Sequence, residues 1–424
     1  MKKTKILSSM LSVIITLALL FANPAVLASD GVYEDGDIID TPEDTPNDEE
    51  VSLDVRLDLD AKAAILIEAK TGTVLYEENA DASLSPASVT KIMTLLLTME
   101  AMDSGAFNLD TLVTASEHAA SIGGSQIYLE AGEQLTVRDM IKSVVVASAN
   151  DVATALAEFI SGSEELFVQR MNERAKELGM MNTNFENPTG LDDNTVNHVT
   201  SARDIAIMSA ELMKHEVIFE FTCIWQDTIR NGEFTLTNTN RMIRYYSGCT
   251  GLKTGSTSKA GYCISSTAER DGMELIAVIL GSSTRENRNR SSAKLLDYGF
   301  ANYAYVYFDT EILDPMKVSY GTSDSVSVGY KSFGTVCSKS EAKNATRVVE
   351  LPEKLEAPLK KGDVIGKVRY MSGDIELGSD DIYVLEDVER ITLPQIFVRI
   401  LRKMAWNPTS RMISFASSTA LPCS

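Results

Sequence analysis

Ser85-Pro86-Ala87-Ser88-Val89-Thr90-Lys91 runs straight into Ile92-Met93-Thr94-Leu95-Leu96-Leu97-Thr98-Met99. Proline is well placed at a helix start, and the residues after it are good helix formers without glycine or proline, so Ser88 is expected in the first turn of a buried helix. Residues three apart share one helical face, which brings the Lys91 amine within reach of the Ser88 hydroxyl, and the positive helix end favours an anion forming beside them. That is the spacing of a serine nucleophile with a lysine base. The spacing alone does not select this pair, because it recurs at Ser256 and Lys259, at Ser291 and Lys294, and at Ser340 and Lys343.

The flanking sequence places the pair in a fold. Before it, Ala63 to Glu68 and Thr73 to Tyr76 are apolar β-type runs joined across Ala69-Lys70-Thr71-Gly72, which reads as a hairpin. After it, Thr136-Val137-Arg138-Asp139 resembles a capping box opening a helix through Met140 to Val146 that breaks at Ala147-Ser148-Ala149-Asn150. Asp151 to Ile160, Glu164 to Leu178 and Thr200 to Met213 continue in helical periodicity. From Phe219 onward β signals return, through Gln226 to Ile229 and Glu233 to Leu236. The clearest hairpin joins Ala260–Glu269 to Met273–Gly281 across Arg270-Asp271-Gly272, and a helix over Asn287 to Tyr303 closes the region. Strands, a helical insert, strands and a closing helix predict an α+β domain with an antiparallel sheet over residues 61–305. Beyond it, short Val-, Tyr-, Ser- and Thr-rich runs with turn punctuation predict a small β-rich domain over 306–390.

The ends carry other signals. Lys2, Lys3 and Lys5 precede an apolar stretch from Ile6 to Phe21 and then Val26-Leu27-Ala28. This predicts a signal peptide over 1–28, export, and cleavage after Ala28, the apolar stretch being shorter than the ~20 residues of a spanning helix. Residues 29–60 are rich in Asp, Glu and Pro and predict an acidic flexible linker. In residues 391–424, Ile396, Phe397, Ile400, Leu401 and Met404 fall on one helical face and Arg399, Arg402 and Lys403 largely on the other, with Trp406 at the end. A basic amphipathic helix in so acidic a chain predicts association with an anionic membrane surface.

Composition narrows the chemistry. The chain has 424 residues, 44% of them apolar and 23% charged, with a formal net charge of -21. That is ordinary for a folded protein of two or three domains and argues against nucleic acid, whose phosphates need a basic surface. The five cysteines (223, 249, 263, 337 and 423) form no CxxC pair, and with three histidines they imply no metal site. Nothing in the sequence implies a cofactor.

Three motifs in order complete the reading: Ser88-Val89-Thr90-Lys91, Ser148-Ala149-Asn150 and Lys253-Thr254-Gly255. Ser88 is the expected nucleophile, and Lys91 the base that takes its proton. Lys253 is a second cation that, together with burial, would push the Lys91 pKa down. Ser148 can relay a proton to a leaving amine, and Asn150 can hold Lys91 and the substrate backbone. Gly255 is expected where substrate passes too close for a β-carbon. The backbone N–H groups of Ser88 and Ser256 would form an oxyanion hole. Lys70-Thr71-Gly72 precedes the nucleophile in a turn and is read as turn chemistry.

With Gly261-Tyr262 after the third motif, the trailing β region and the amphipathic tail, the sequence from about Ala63 to Trp406 resembles the low-molecular-mass penicillin-binding proteins, serine-type D-alanyl-D-alanine carboxypeptidases. The resemblance implies a penicillin-binding/β-lactamase-like catalytic domain, an antiparallel sheet with helices on both faces. The implied substrate is a peptidoglycan stem peptide ending in D-Ala-D-Ala, whose terminal D-alanine leaves through an acyl-enzyme on Ser88, with β-lactam antibiotics acylating the same serine. The implied role is peptidoglycan maturation in the cell wall or spore cortex. Arg288 is the implied partner of the substrate carboxylate, with Arg285, Arg290 and, less well matched, Arg241 as alternatives. The rival readings are a β-lactamase, for which no glutamate stands in a suitable context to activate water, and a wall-binding protein with a dead site.

Overall fold

The computed structural model describes residues 56–405; the expected signal peptide, most of the acidic stretch, Trp406 and the tail lie outside the described residues. The central sheet has five strands: β1 (Ala63–Glu68), β2 (Val74–Glu78), β3 (Cys249–Thr257), β4 (Gly261–Arg270) and β5 (Met273–Ser282). Their spatial order is β2-β1-β5-β4-β3, with every pair antiparallel. In the β4–β5 turn Asp271 and Gly272 both have positive φ, 51° and 77°, which suits a two-residue hairpin to the strand twist.

Strand alternation explains why the sheet is covered twice. On β1, Ala63, Ile65 and Ile67 enter one core while Ala64 and Leu66 enter another. On its neighbour β5, Ile276, Val278 and Leu280 join the first core, and Leu275, Ala277 and Ile279 the second. The register pairs Ile65 with Val278 and Leu66 with Ala277, so each face is apolar across both strands. Both strands must therefore be buried on two sides, as their uninterrupted apolar runs require.

Helices supply the two covers. The first core packs under α1 (Lys91–Asp103), α2 (Val137–Lys142), α3 (Asn150–Ser161), α4 (Glu164–Glu177) and α5 (Ala202–Met213). The second packs under α6 (Arg285–Asn302) through Leu295, Leu296 and Phe300. Helix α1 runs through the middle: ten of its thirteen residues are buried, and each fully buried aliphatic side chain is worth about 1.5–3 kcal/mol. Leu57 and Leu59 also pack on the second core, and the Asp60 carboxylate accepts a bond from Asn287 Nδ2 at 2.6 Å, so order begins before β1.

Three local details differ from the sequence expectation. Ser88 lies in a 3₁₀ turn, Ala87–Thr90, and the α-helix proper begins at Lys91. The helix after Thr136 changes to a π turn over Ser143–Ala147 before it breaks at Ser148. The β signals expected from Phe219 begin only at Gln226, because Phe219–Thr222 turns as a short helix with Phe221 buried.

Past α6 come β6 (Tyr303–Phe308), β7 (Glu311–Ser319), β8 (Ser325–Tyr330), β9 (Phe333–Ser338) and β10 (Ala345–Glu350). The short β11 (Leu355–Glu356), then β12 (Val364–Ser372) and β13 (Ile375–Val384), complete an all-β region with its own core around Val328, Val368 and Tyr370. Six of these strands form one sheet in the order β10-β12-β13-β8-β7-β11, while β6 and β9 pair separately. Helix α7 (Leu393–Ala405) follows. It touches the β region through Arg399, whose guanidinium lies 3.0 Å from Asp324 and 2.6 Å from the Thr322 carbonyl. Phe397, Ile400 and Leu401 are half or more exposed.

Candidate active site

The three motifs converge on one cavity of about 160 Å³. Ser88, Ser148, Thr254, Gly255 and Ser256 line it, together with Ser125, Thr239, Arg285 and Arg288. Lys91, Lys253 and Asn150 lie behind this lining, each at most 2% exposed.

Lys91 is the hub. Its Nζ lies 3.0 Å from Ser88 Oγ, 2.6 Å from Asn150 Oδ1 and 2.6 Å from the Thr189 carbonyl. Two of these partners are pure acceptors and must take N–H donors. A neutral amine has two N–H groups and one lone pair, so the lone pair faces the one partner able to donate, the Ser88 hydroxyl. Burial, then the charge of Lys253, holds the Lys91 pKa well below the ordinary lysine range, with Asp151 opposing. Geometry and electrostatics therefore both favour a neutral base aimed at Ser88.

Lys253, on the edge strand β3, donates to Ser148 Oγ at 2.9 Å and to the Thr254 carbonyl at 2.8 Å. Burial and then Arg288 push its pKa down to about 7. Because Ser148 Oγ accepts from Lys253, its own proton is free for another acceptor. Ser148 holds φ 60°, ψ 31°, a left-handed conformation uncommon for serine, at the junction between the π turn and α3. Ala87, beside the nucleophile, also has positive φ, 50°. Such strain persists where the surroundings overdetermine the backbone, and here it sets the two hydroxyls.

Gly255 is constrained for a different reason from the one expected. A β-carbon there would lie 2.7 Å from the Ser88 nitrogen and 2.9 Å from both the Pro86 oxygen and the Val89 nitrogen. The close approach is to the nucleophile's own turn. Asn150 also differs in part: Oδ1 holds Lys91 as expected, but Nδ2 donates to the Gly123 carbonyl at 2.7 Å, which commits one of its N–H groups within the protein.

Of the four candidate arginines, Arg285 and Arg288 reach the cavity, and Arg241 and Arg290 do not line it. Arg288 is 3% exposed. It bonds Asn289 Oδ1 and the Cys263 carbonyl and, among the described residues, no carboxylate. Burial, then Arg285, pushes its pKa down to about 10. The competing Lys70-Thr71-Gly72 caps the β1–β2 turn at the far edge of the sheet, where Thr71 bonds Glu68. Ser291 is in α6, where its Oγ accepts from the Asp60 nitrogen, and Ser340 is in the β region. Cys223, Cys249, Cys263 and Cys337 are free thiols, and among the described residues no His, Cys, Asp and Glu cluster could hold a metal.

Sequence reasoning passed over the clasp behind the nucleophile. The stretch Glu186 to His198 supplies the Thr189 carbonyl to Lys91, and Gly190 packs so tightly on Ala87 that a β-carbon would overlap the Ala87 carbonyl. His198 Nδ1 accepts from the Glu186 nitrogen at 3.0 Å, so Nε2 carries the proton and donates to Thr90 Oγ1 at 2.8 Å. Thr90 Oγ1 in turn donates to the Ala87 carbonyl at 2.9 Å. Asp151, next to the second motif, accepts from the nitrogens of Ile127 and Leu129, anchoring the loop that carries Ser125. The only sequence signals were turn residues, Asn187-Pro188-Thr189-Gly190, and an acid following Asn150.

Comparison with known proteins agrees with this architecture. A family model described as D-alanyl-D-alanine carboxypeptidase matches residues 48–284, and one described as the penicillin-binding protein 5 C-terminal domain matches residues 305–390. The D-alanyl-D-alanine carboxypeptidase DacF of Bacillus subtilis is 41% identical over 338 residues, 78% of this chain and 86% of the relative. The solved structure of penicillin-binding protein 5 from Haemophilus influenzae superposes with a TM-score of 0.70 at 32% identity, covering 79% of this chain and 99% of that one. Penicillin-binding protein D2 from Listeria monocytogenes, solved in its ampicillin-bound form, gives 0.54 at 33% identity and covers 58% of this chain and 100% of its own. Fold, motif order and sequence identity thus agree across both the catalytic and the trailing region: the chain belongs to the family of serine-type D-alanyl-D-alanine carboxypeptidases.

Proposed function

We propose that the chain removes the terminal D-alanine from peptidoglycan stem peptides through an acyl-enzyme on Ser88, and that β-lactams acylate the same serine. The observation that carries this reading is the Lys91 amine, with two partners that can only accept and a third, Ser88, that can donate. Ser88 Oγ adds to the penultimate D-alanyl carbonyl as its proton passes to Lys91 Nζ. The oxyanion lies against the backbone N–H groups of Ser88 and Ser256. Collapse breaks the C–N bond, the Ser148 proton goes to the departing amine, and Lys253 stabilises the alkoxide left behind. Water then cleaves the ester: its proton restores the Ser148 hydroxyl, the hydroxide adds to the carbonyl, and Lys91 returns to Ser88 Oγ the proton it took. Arg288, with Arg285 beside it, has no carboxylate partner among the described residues and suits the substrate's terminal carboxylate. Asn150 orients Lys91 throughout.

A β-lactamase would need a carboxylate free to activate water. Glu186 is not free, because its two oxygens accept from the nitrogens of Val196 and Asn197. Incubation with a pentapeptide ending in D-Ala-D-Ala should release D-alanine, penicillin should block the release, and Ser88→Ala should abolish labelling by a fluorescent penicillin. Folded wild-type protein that releases no D-alanine, or Ser88→Ala that labels as wild type does, would refute the assignment.

The same reading places the protein on the outer face of the cytoplasmic membrane or in the cell-wall space. Helix α7 supports this, since it meets the β region through Arg399 while Phe397, Ile400 and Leu401 stay exposed. An apolar face left outward beside basic residues suits an anionic lipid surface. Deleting residues from Pro394 onward should release the protein from membrane fractions; unchanged association would reject the anchor.

A further inference from the structure

Cysteine is among the most consistently buried residue types, so an exposed thiol calls for a reason. Among the described residues Cys263 and Cys337 are buried, whereas Cys223 is exposed and Cys249 half-buried. Cys223 caps the short helix Phe219–Thr222, and Cys249 opens β3. The two thiols stand at the ends of one excursion of the chain. Between them come the paired strands Gln226–Ile229 and Phe234–Thr237, then Thr239, then the short helix Met242–Tyr245, before the chain rejoins the sheet.

The two ends of that excursion lie against each other. The Thr250 carbonyl accepts from Thr222 Oγ1 at 2.6 Å and from Cys223 Sγ at 3.5 Å, and Cys249 Sγ donates to the next carbonyl, that of Gly251, at 3.4 Å. A β-carbon on Gly251 would lie 3.2 Å from Thr222 Cβ, so the end of the helix rests directly on the strand. In the β3–β4 register Cys249 pairs with Ala268 and Gly251 with Thr267, which leaves Thr250 as the extra residue of a bulge, its carbonyl given to the helix. Asn238 closes the base a second time: its nitrogen donates to the Trp225 carbonyl at 2.8 Å and its Nδ2 to the Ile224 carbonyl at 2.7 Å.

A disulfide needs α-carbons within about 7 Å, and here the residues adjoining both cysteines are already in hydrogen-bond contact. Other thiol chemistry fits less well. Burial, and further the charge of Cys223, push the Cys249 thiol up to about 11, and burial raises Cys223 too, so neither is a ready thiolate nucleophile. Among the described residues no cluster of His, Cys, Asp and Glu could hold a metal. The leader predicts export, and disulfides persist in the oxidising space outside the cell.

We propose that Cys223 and Cys249 are a disulfide-forming pair: oxidation by a small-molecule disulfide joins them, pins the edge strand β3 to the helix Phe219–Thr222, and shuts the base of the excursion that carries Thr239 to the catalytic cavity. The exposed Cys223 sulfur, as thiolate, attacks one sulfur of the oxidant and expels the other, which leaves as a thiol. Cys249 then attacks the Cys223 sulfur of the mixed disulfide and expels the second thiol. Two electrons and two protons pass from the cysteines to the oxidant, and one S–S bond replaces another. The new bond encloses residues 224–248, a loop long enough for closure to raise stability measurably. Because its ends already touch, the bond leaves Thr239 and Lys253 where they are.

The reduced full chain, kept folded, is incubated with excess oxidised glutathione and digested with trypsin without reductant. Residues 215–230 and 245–253 should appear as one linked species, two hydrogens lighter than the sum of the two peptides. Tm should rise by about 3–8 °C, fall back with dithiothreitol, and not rise in Cys223→Ser or Cys249→Ser. Penicillin acylation should stay within twofold among oxidised wild type, reduced wild type and both variants, which shows that each sample is folded. A glutathione adduct on Cys223 with Cys249 left free would make Cys223 a lone surface thiol and overturn the proposal. An unmodified pair, or Cys223 linked to a different cysteine, overturns it as well. A linked pair with no gain in Tm would refute the pinning of β3.

Discussion

Two buried lysines facing two serines are tolerated because the Lys91 amine has three hydrogen-bond partners and Lys253 donates to two acceptors. Lys91 and Lys253 lie 0% and 1% exposed, and a buried charge normally survives only when its hydrogen bonds are satisfied. Burial, and then the Lys253 charge, disfavour a proton on Lys91. Replacing Lys253 with methionine removes that repulsion, so Lys91 should keep its proton to higher pH. Penicillin acylation by Lys253→Met should fall about 10- to 100-fold at pH 7, and its rising limb should move upward in pH. A slower reaction with an unmoved limb would leave Lys253 a substrate or Ser148 contact without control over Lys91. Gly255 makes a separate point. Its β-carbon would press on the backbone from Pro86 to Val89, and a displacement of about 1 Å in a nucleophile can cost about 100-fold. Gly255→Ala should therefore lose about that factor in acylation of both penicillin and peptide. Loss confined to large substrates would instead favour the clash with substrate that the sequence suggested.

The clasp from Glu186 to His198 joins the nucleophile turn to the rest of the helical block, and His198 is its pin. Burial pushes the His198 pKa down to about 4, because a charged imidazole would sit at 1% exposure with its Nδ1 already accepting a backbone N–H. In the unfolded chain the same imidazole takes its proton near pH 6.5. Its contribution to stability is thus fully present above about pH 6.5 and is lost as pH falls toward 4, up to about 3 kcal/mol. Urea unfolding of wild type and His198→Gln at pH 7.0, 5.5 and 4.5 isolates this term. The stability difference between the two should shrink or reverse toward pH 4.5, and a pH-independent difference would remove His198 from the acid response. The clasp also shows where the sequence was mute. Periodicity located α1, α4 and α5 and both main hairpins, and motif order selected Ser88, Lys91, Ser148 and Lys253, because amphipathic faces and side-chain chemistry are written locally. The Thr189 carbonyl on Lys91 and the Gly190 approach to Ala87 join segments about 100 residues apart, and the His198 tautomer depends on how its loop folds back onto the Glu186 nitrogen. No local pattern encodes that.

The same division holds across the chain. The first two cores share the central sheet, one on each face, whereas the β region keeps Val328, Val368 and Tyr370 to itself, and among the described residues its first paired strands, through Tyr303, Tyr305 and Val336, touch the core under α6. Lys70 adds a contact over the Tyr305 ring at 5.2 Å. The change of composition after Tyr305 was readable because two sheets with separate cores need separate hydrophobic patterns, whereas the few side chains joining them carry no signature. Among the described residues, none that lines the catalytic cavity or bonds Lys91 lies beyond Arg288. The ampicillin-bound Listeria protein, aligned over its whole length, spans only 58% of this chain. A chain ending at Asn302 keeps all of α6 and loses the Tyr303, Tyr305 and Val336 contacts. It should therefore acylate with penicillin within about threefold of the wild-type rate while its Tm drops by several degrees, as expected for about 1–2 kcal/mol lost in a domain of this size. Stopped-flow acylation and thermal unfolding of the same sample measure the two effects. A folded truncation that fails to acylate would mean that the β region shapes the site itself, through the sheet edge under Tyr305, and not only its position relative to the wall.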